Sequence, residues 1–173
     1  MLIALALVVP ATSLAASPGG VDPHPTTPAP TAPVAFKKAR IVAGEAVAPA
    51  GAPAGVQQAI AAANSIRTKP YVWGGGHGSW YSSGYDCSGA VSFALHGANL
   101  LSTPLDSGSL ESWGSTGAGR WITVYANSGH TYAVIAGLRW DTAGNTSGTG
   151  PRWHKQTAAA APGHYAVRHP AGY

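Results

Sequence analysis

The chain contains one cysteine, Cys87, and its surroundings suit a nucleophile. A glycine-crowded stretch, Y-V-W-G-G-G-H-G-S-W-Y-S-S-G-Y (71–85), runs directly into D-C-S-G-A-V-S-F-A-L-H-G (86–97). Val91, Ala94, Leu95 and Ala98 recur at three- and four-residue steps from Cys87, which predicts a helix with the cysteine on its apolar stripe, pointing inward. Asp86 is a good N-cap, because its carboxylate can accept from the free N–H groups of the first turn. Those N–H groups and the positive end of the helix dipole favour a thiolate over a thiol. A lone buried cysteine is ordinarily a small hydrophobe. Such a residue needs no polar cap, no Ser88-Gly89 pair admitting another backbone, and no Gly74-Gly75-Gly76 run upstream, yet all three are present. In a secreted chain an unpaired cysteine reads as an intermolecular link or a reactive thiol.

Y-x-W-G-G followed by D-C-S-G and a helix resembles the NlpC-type cell-wall cysteine peptidases, a papain-like family that cleaves peptide stems of bacterial peptidoglycan. The resemblance implies an α+β papain-like thiol hydrolase fold, with the catalytic cysteine at a helix N-terminus packed on an antiparallel sheet. It extends over about the last hundred residues, and nothing before residue 50 takes part.

The family's second signature is G-H followed by an apolar strand, and Gly129-His130 fits it. A catalytic cysteine needs an imidazole that takes its proton, holds the ion pair and then protonates the leaving amine, and His130 is the residue chosen. Trp121–Tyr125 reads as a strand, 126–129 as a turn and His130–Gly137 as the returning strand. A third polar residue should orient the imidazole. Relatives place it on the next strand, here Leu138–Thr142, which makes Asp141 the candidate and His154 the reserve. A hairpin turning at Gly137-Leu138 would set Asp141 opposite Val134, too far along the strand, so a bulge or another register is required. The alternative role of Asp141 is a salt bridge to Arg139 or Arg152. By the resemblance, Tyr71 places its hydroxyl near the sulfur, while Asp86, Ser88 and Trp73 line the substrate pocket; Trp113 is a further candidate for substrate contact. His77 reads as a loop residue, and His96 as a complement to the negative end of the cysteine helix. The segment G-A-G-R-W-I-T-V before the histidine strand and the small-residue loop 144–150 depart from the family pattern and put the pocket, more than the chemistry, in question.

The positioning elements follow from periodicity. Val56, Ile60 and Ala63 predict a core-facing helix over 55–66, ended by Thr68-Lys69-Pro70. The tail through His164, Tyr165, Val167 and Arg168 is expected to add a last strand.

At 173 residues the chain has room for one domain with tails, and 45% apolar against 9% charged residues excludes a charged disordered chain. The net charge of +4 suits an anionic surface such as a bacterial wall, but no Lys/Arg cluster is dense enough for nucleic acid. Residues 2–9 form an apolar run too short to span a bilayer, followed by small residues, so 1–16 reads as a secretory signal peptide. A positive n-region is missing from it, for which a start upstream of Met1 or a shortened gene model is the expected reason. No cysteine follows the run, so neither a lipid anchor nor another stable membrane anchor is expected. Residues 17–54, rich in Pro, Ala and Thr, read as an extended linker; within it Phe36–Val42 is taken as an apolar and basic patch, with a short strand or a wall contact as alternatives. The catalytic domain is then 55–173.

The expected function is a secreted, wall-associated cysteine endopeptidase acting on peptidoglycan, which the resemblance narrows to the γ-D-glutamyl–diaminopimelate bond. A monomer is expected, with no cofactor and no metal, since no Cys, His and carboxylate set has ligand spacing. Alternatives are a thiol amidase or acyltransferase on another substrate, and an inactive wall-binding module.

Overall fold

The computed structural model describes residues 37–144, 149–155 and 164–173; the signal-peptide reading of 1–16 and most of the linker reading lie outside them. Two helices and a six-stranded sheet position the cleft.

Helix α1 (Ala54–Ile66) buries Val56, Ala59, Ile60, Ala63 and Ile66, the recurring face that the sequence periodicity predicts. Helix α2 (Cys87–Gly97) buries Ala90, Val91, Ala94 and Leu95. The two helices pack closely because Gly97 carries no side chain where a Cβ would strike Ala62. A single-turn helix, α3 (Ser107–Leu110), is capped by Asp106, whose Oδ1 accepts from the Ser109 N–H at 2.7 Å.

The sheet runs in the order β3-β8-β4-β5-β6-β7, all neighbours antiparallel: β3 (Ser115–Thr116), β4 (Ile122–Asn127), β5 (His130–Ile135), β6 (Leu138–Asp141), β7 (Arg152–Lys155) and β8 (Ala166–His169). Strand β8 is the last strand expected from the tail. Alternation sends Ile122, Val124 and Ala126 of β4 and Thr131, Ala133 and Ile135 of β5 into the core, all fully buried. Trp140 of β6 is equally buried, and its indole N–H donates to the Ala90 carbonyl at 3.0 Å, tying the middle of the sheet to the first turns of α2.

The hairpin β1 (Arg40–Val42) and β2 (Glu45–Val47) lies inside the stretch 17–54 read from composition as linker, and corrects that reading at its C-terminal end. Its order comes from partners that composition cannot reveal. The Asn64 side chain on α1 accepts from Ala46 N at 3.0 Å and donates to Ala46 O at 2.9 Å. Ala39 N donates to the Ala136 carbonyl at 2.8 Å, and Glu45 pairs with Arg67 at 2.8 Å. Of the stretch Phe36–Val42, Arg40–Val42 is thus a paired strand rather than an unpaired patch, and Phe36 lies outside the described residues.

Among the described residues no helix is long and apolar enough to cross a membrane.

Candidate active site

Cys87 is the first residue of α2 and is half-buried. The stripe beyond it is buried as expected, but the sulfur does not point into the core. Helical side chains tilt toward the N-terminus, so one on the first turn overhangs the helix end, here into a cleft of about 340 Å³.

The loop before the helix is fastened through Asp86. Its carboxylate accepts from Gly89 N at 2.7 Å as the N-cap and from Gly74 N at 3.0 Å, while Asp86 N donates to Gly75 O at 3.2 Å. The glycine loop therefore crosses directly over the helix start. Gly89 is required there, because a Cβ on it would collide with the Gly75 carbonyl oxygen.

His77, read from sequence as a loop residue, belongs to this cluster. Its Nε2 lies 3.0 and 3.1 Å from the two Asp86 oxygens and 3.1 Å from Ser88 Oγ, and the ring lines the cleft. Ser88 Oγ also donates to Asp86 Oδ1 at 3.2 Å. The only signal for this in the sequence is a histidine in the same glycine loop, nine residues before the cap.

His130 opens β5 across from the helix start. Its Nε2 lies 2.9 Å from Asp141 Oδ1, which leaves Nδ1 as the ring nitrogen open to Cys87, whose interaction with the ring helps to raise the imidazole pKa. The register explains this contact and corrects the one expected. The β5–β6 turn is Ala136-Gly137, with φ of 46° and 80°, a two-residue turn one step earlier than Gly137-Leu138. Ala133 then pairs with Trp140, so Asp141 comes level with Tyr132 and reaches His130 on the diagonal, with no bulge. Asp141 Oδ1 also accepts from Ala143 N at 2.8 Å, and its Oδ2 lies 3.3 Å from Arg139 Nε. Its salt bridge to Arg139 and its contact with His130 therefore coexist, one on each oxygen. Asp141 is register partner to Arg152 on β7. The reserve residue His154 sits on β7 opposite Arg139, and burial, with the nearby guanidinium, lowers its pKa.

Burial alone would lower the pKa of His130. The Asp141 carboxylate, the Cys87 hydrogen bond and the charges of both outweigh it and raise the value to about 9. A protonated imidazole beside the sulfur is thus the favoured state at neutral pH.

Tyr71 lines the cleft with Cys87; partial burial, then the Cys87 and Asp86 charges, raise its hydroxyl pKa, so it remains a neutral donor. Trp73 stands at the rim, 87% exposed. Asp86 and Ser88 also line the cleft. Trp113 instead packs against the core. His96 stacks on Trp80 with ring centroids 3.9 Å apart and faces the Leu101 carbonyl at 3.0 Å, which anchors the 80s loop on the far end of α2. Tyr165, from the C-terminal segment, packs edge-on against Tyr132 with ring centroids 5.4 Å apart, at the sheet end that carries His130.

No protein-family model and no curated protein matches the chain. Among solved structures it is similar to NlpC1 from Trichomonas vaginalis, with 15% identity and a TM-score of 0.50 over 68% of this chain and 44% of that one. It is similar to a hypothetical invasion protein of Mycobacterium tuberculosis (25% identity, TM-score 0.47, 66% of this chain and 61% of that one). A third likeness is to the peptidoglycan hydrolase RipB of M. tuberculosis (22%, 0.41, 59% and 64%). The chain spans less than two thirds of the length of each of these structures. The likeness to NlpC1 shows the fold: α+β and NlpC-type, a papain-like arrangement with the helix carrying Cys87 packed on an antiparallel sheet.

Proposed function

We propose that this chain is an NlpC-type cysteine endopeptidase that acts outside the cell on peptidoglycan stem peptides, at the bond between γ-D-glutamate and diaminopimelate. One observation carries the reading: a sulfur at a helix N-terminus, an imidazole whose pKa that sulfur helps to raise, and a buried carboxylate 2.9 Å from the imidazole Nε2. Cys87 as thiolate attacks the amide carbonyl, and its backbone N–H with the Tyr71 hydroxyl receives the charge that develops on oxygen. His130 then gives its proton to the leaving amine, leaving a thioester on Cys87. The neutral ring next takes a proton from water, whose oxygen attacks the thioester carbonyl, releases the peptide acid and restores the thiolate–imidazolium pair. Asp141 holds the ring with Nδ1 toward the sulfur throughout. Asp86, Ser88 and His77 shape the floor where the stem lies, and Trp73 its rim.

The test is a digest of purified peptidoglycan by the mature protein and by Cys87→Ala, read by mass spectrometry of the released fragments. New diaminopimelate amino termini made by the wild type alone are expected. If both proteins pellet with the wall and neither releases fragments, the chain is a binding module instead. Acyl transfer to added amines with no new wall-peptide ends would assign it to a thiol amidase or acyltransferase.

A further inference from the structure

A further buried ion adjoins the three residues of the mechanism. The Arg139 side chain is 6% exposed, and its Nε lies 3.3 Å from Asp141 Oδ2, the oxygen that His130 does not use. Residues 139 and 141 share a face of β6, and register sets Arg139 opposite Val134, one step from Tyr132, whose ring its Cζ overlies at 5.7 Å. Sulfur, imidazole, carboxylate and guanidinium form a row of alternating charge when the thiolate–imidazolium pair is present.

The row matters most when that pair is absent. Once His130 has released its proton to a leaving amine, Asp141, with its side chain 1% exposed, faces a neutral ring. A charge so buried is costly unless another cation remains beside it. The other groups facing it do not supply one. Tyr132 on β5 is pushed up to about 12, and the Tyr165 hydroxyl is also raised, chiefly by burial, so both stay neutral. His154 on β7 is lowered by burial and by Arg139 itself. Arg152 turns its Nη1 to the carbonyls of Lys69 and Pro151, at 3.2 and 2.7 Å. An arginine stays charged throughout the working range.

We infer that Arg139 is a positioning residue for the reaction: its ion pair with Asp141 Oδ2 supplies the buried carboxylate with a cation while His130 is neutral and holds Oδ1 on the imidazole. The inference rests on the Cys87–His130–Asp141 reading.

The experiment measures alkylation of Cys87 by iodoacetamide across pH in the wild type, Arg139→Met and Arg139→Lys, which requires no wall substrate. In Arg139→Met the whole profile is expected to move to higher pH by roughly one unit, because every proton loss in the row then leaves a buried site one charge more negative. Arg139→Lys retains the charge and should stay close to the wild type. A profile unmoved in Arg139→Met, with only a lower melting temperature, overturns the inference and leaves Arg139 a structural ion. Should Arg139→Met fail to fold, the double variant Arg139→Met/Asp141→Asn, which removes both buried charges, is expected to fold; its failure also overturns the inference. An ordinary free-thiol profile in the wild type would instead reject the underlying Cys–His reading.

Discussion

Asp141 meets His130 on the diagonal of the β5–β6 ladder, Oδ1 to Nε2 at 2.9 Å, although the residue level with it across the pair is Tyr132. Diagonal pairs stand farther apart than directly opposed ones, so the contact uses the reach of both side chains and fixes the ring by its far nitrogen. Substitution by Asn keeps the shape and removes the charge. Asp141→Asn should therefore reduce turnover by roughly 10²-fold, with a smaller change in KM, and move the alkaline limb of Cys87 alkylation down from near pH 9. An unchanged limb would show that Asp141 does not set the state of His130.

The same contact has a signature in stability. The pKa of His130 rises on folding from 6.5 to about 9, so the folded state binds that proton more tightly than the unfolded one. The resulting stabilisation is fully present below about pH 6.5 and is lost as pH rises to about 9. Thermal melts should fall across this window in the wild type and run flatter in Asp141→Asn. Parallel curves would count against the pair.

His77 touches Asp86 and Ser88, and no contact with Cys87 is needed for its role. Removing it frees one face of a buried carboxylate that also caps α2, an interaction with a charged group. His77→Ala is expected to lower kcat/KM on wall peptide by on the order of tenfold, mainly through KM, and to leave the alkylation profile of Cys87 in place. A shifted profile with normal KM would make His77 part of the proton chemistry instead.

Gly89 tests the close approach of the glycine loop to α2. Gly89→Ala places a Cβ against the Gly75 carbonyl, whereas a Cβ on Gly78 meets nothing within 4 Å. Urea unfolding should show Gly89→Ala destabilised by about 1–3 kcal/mol, with Gly78→Ala near the wild type. Equal stability of the two would mean that the loop yields freely.

Asn64 holds the hairpin to the body. Its side chain serves both Ala46 backbone groups and accepts from Trp153 Nε1 at 2.8 Å. Asn64→Ala strands these groups and should cost about 2–3 kcal/mol, with proteolysis appearing first within 37–53. Resistance there equal to the wild type would show that strand pairing and the Glu45–Arg67 ion pair suffice.

The sequence by itself determined what local chemistry dictates. Asp86 before Cys87, with an apolar stripe at helical spacing, specifies a capped helix beginning at the sulfur, because both the cap and the stripe act within a few residues. The core helix over α1 and the strand opened by His130 were legible for the same reason, whereas Asp141 was a candidate only through the resemblance to relatives with a polar residue on the next strand. Only the tertiary structure decided what depends on meetings across the chain. The β5–β6 register follows from a turn that puts Ala136 at φ 46°, a conformation its residue type does not announce, and one step in that turn moves Asp141 from beside Val134 to beside Tyr132. His77 joins Asp86 because the glycine loop folds back over α2, and the hairpin at 40–47 is ordered by an asparagine on a helix that periodicity reads as packing. In the last two cases the deciding partner is a polar group whose identity hydrophobic pattern does not encode, and whose hydrogen bonds fix the segment that meets it.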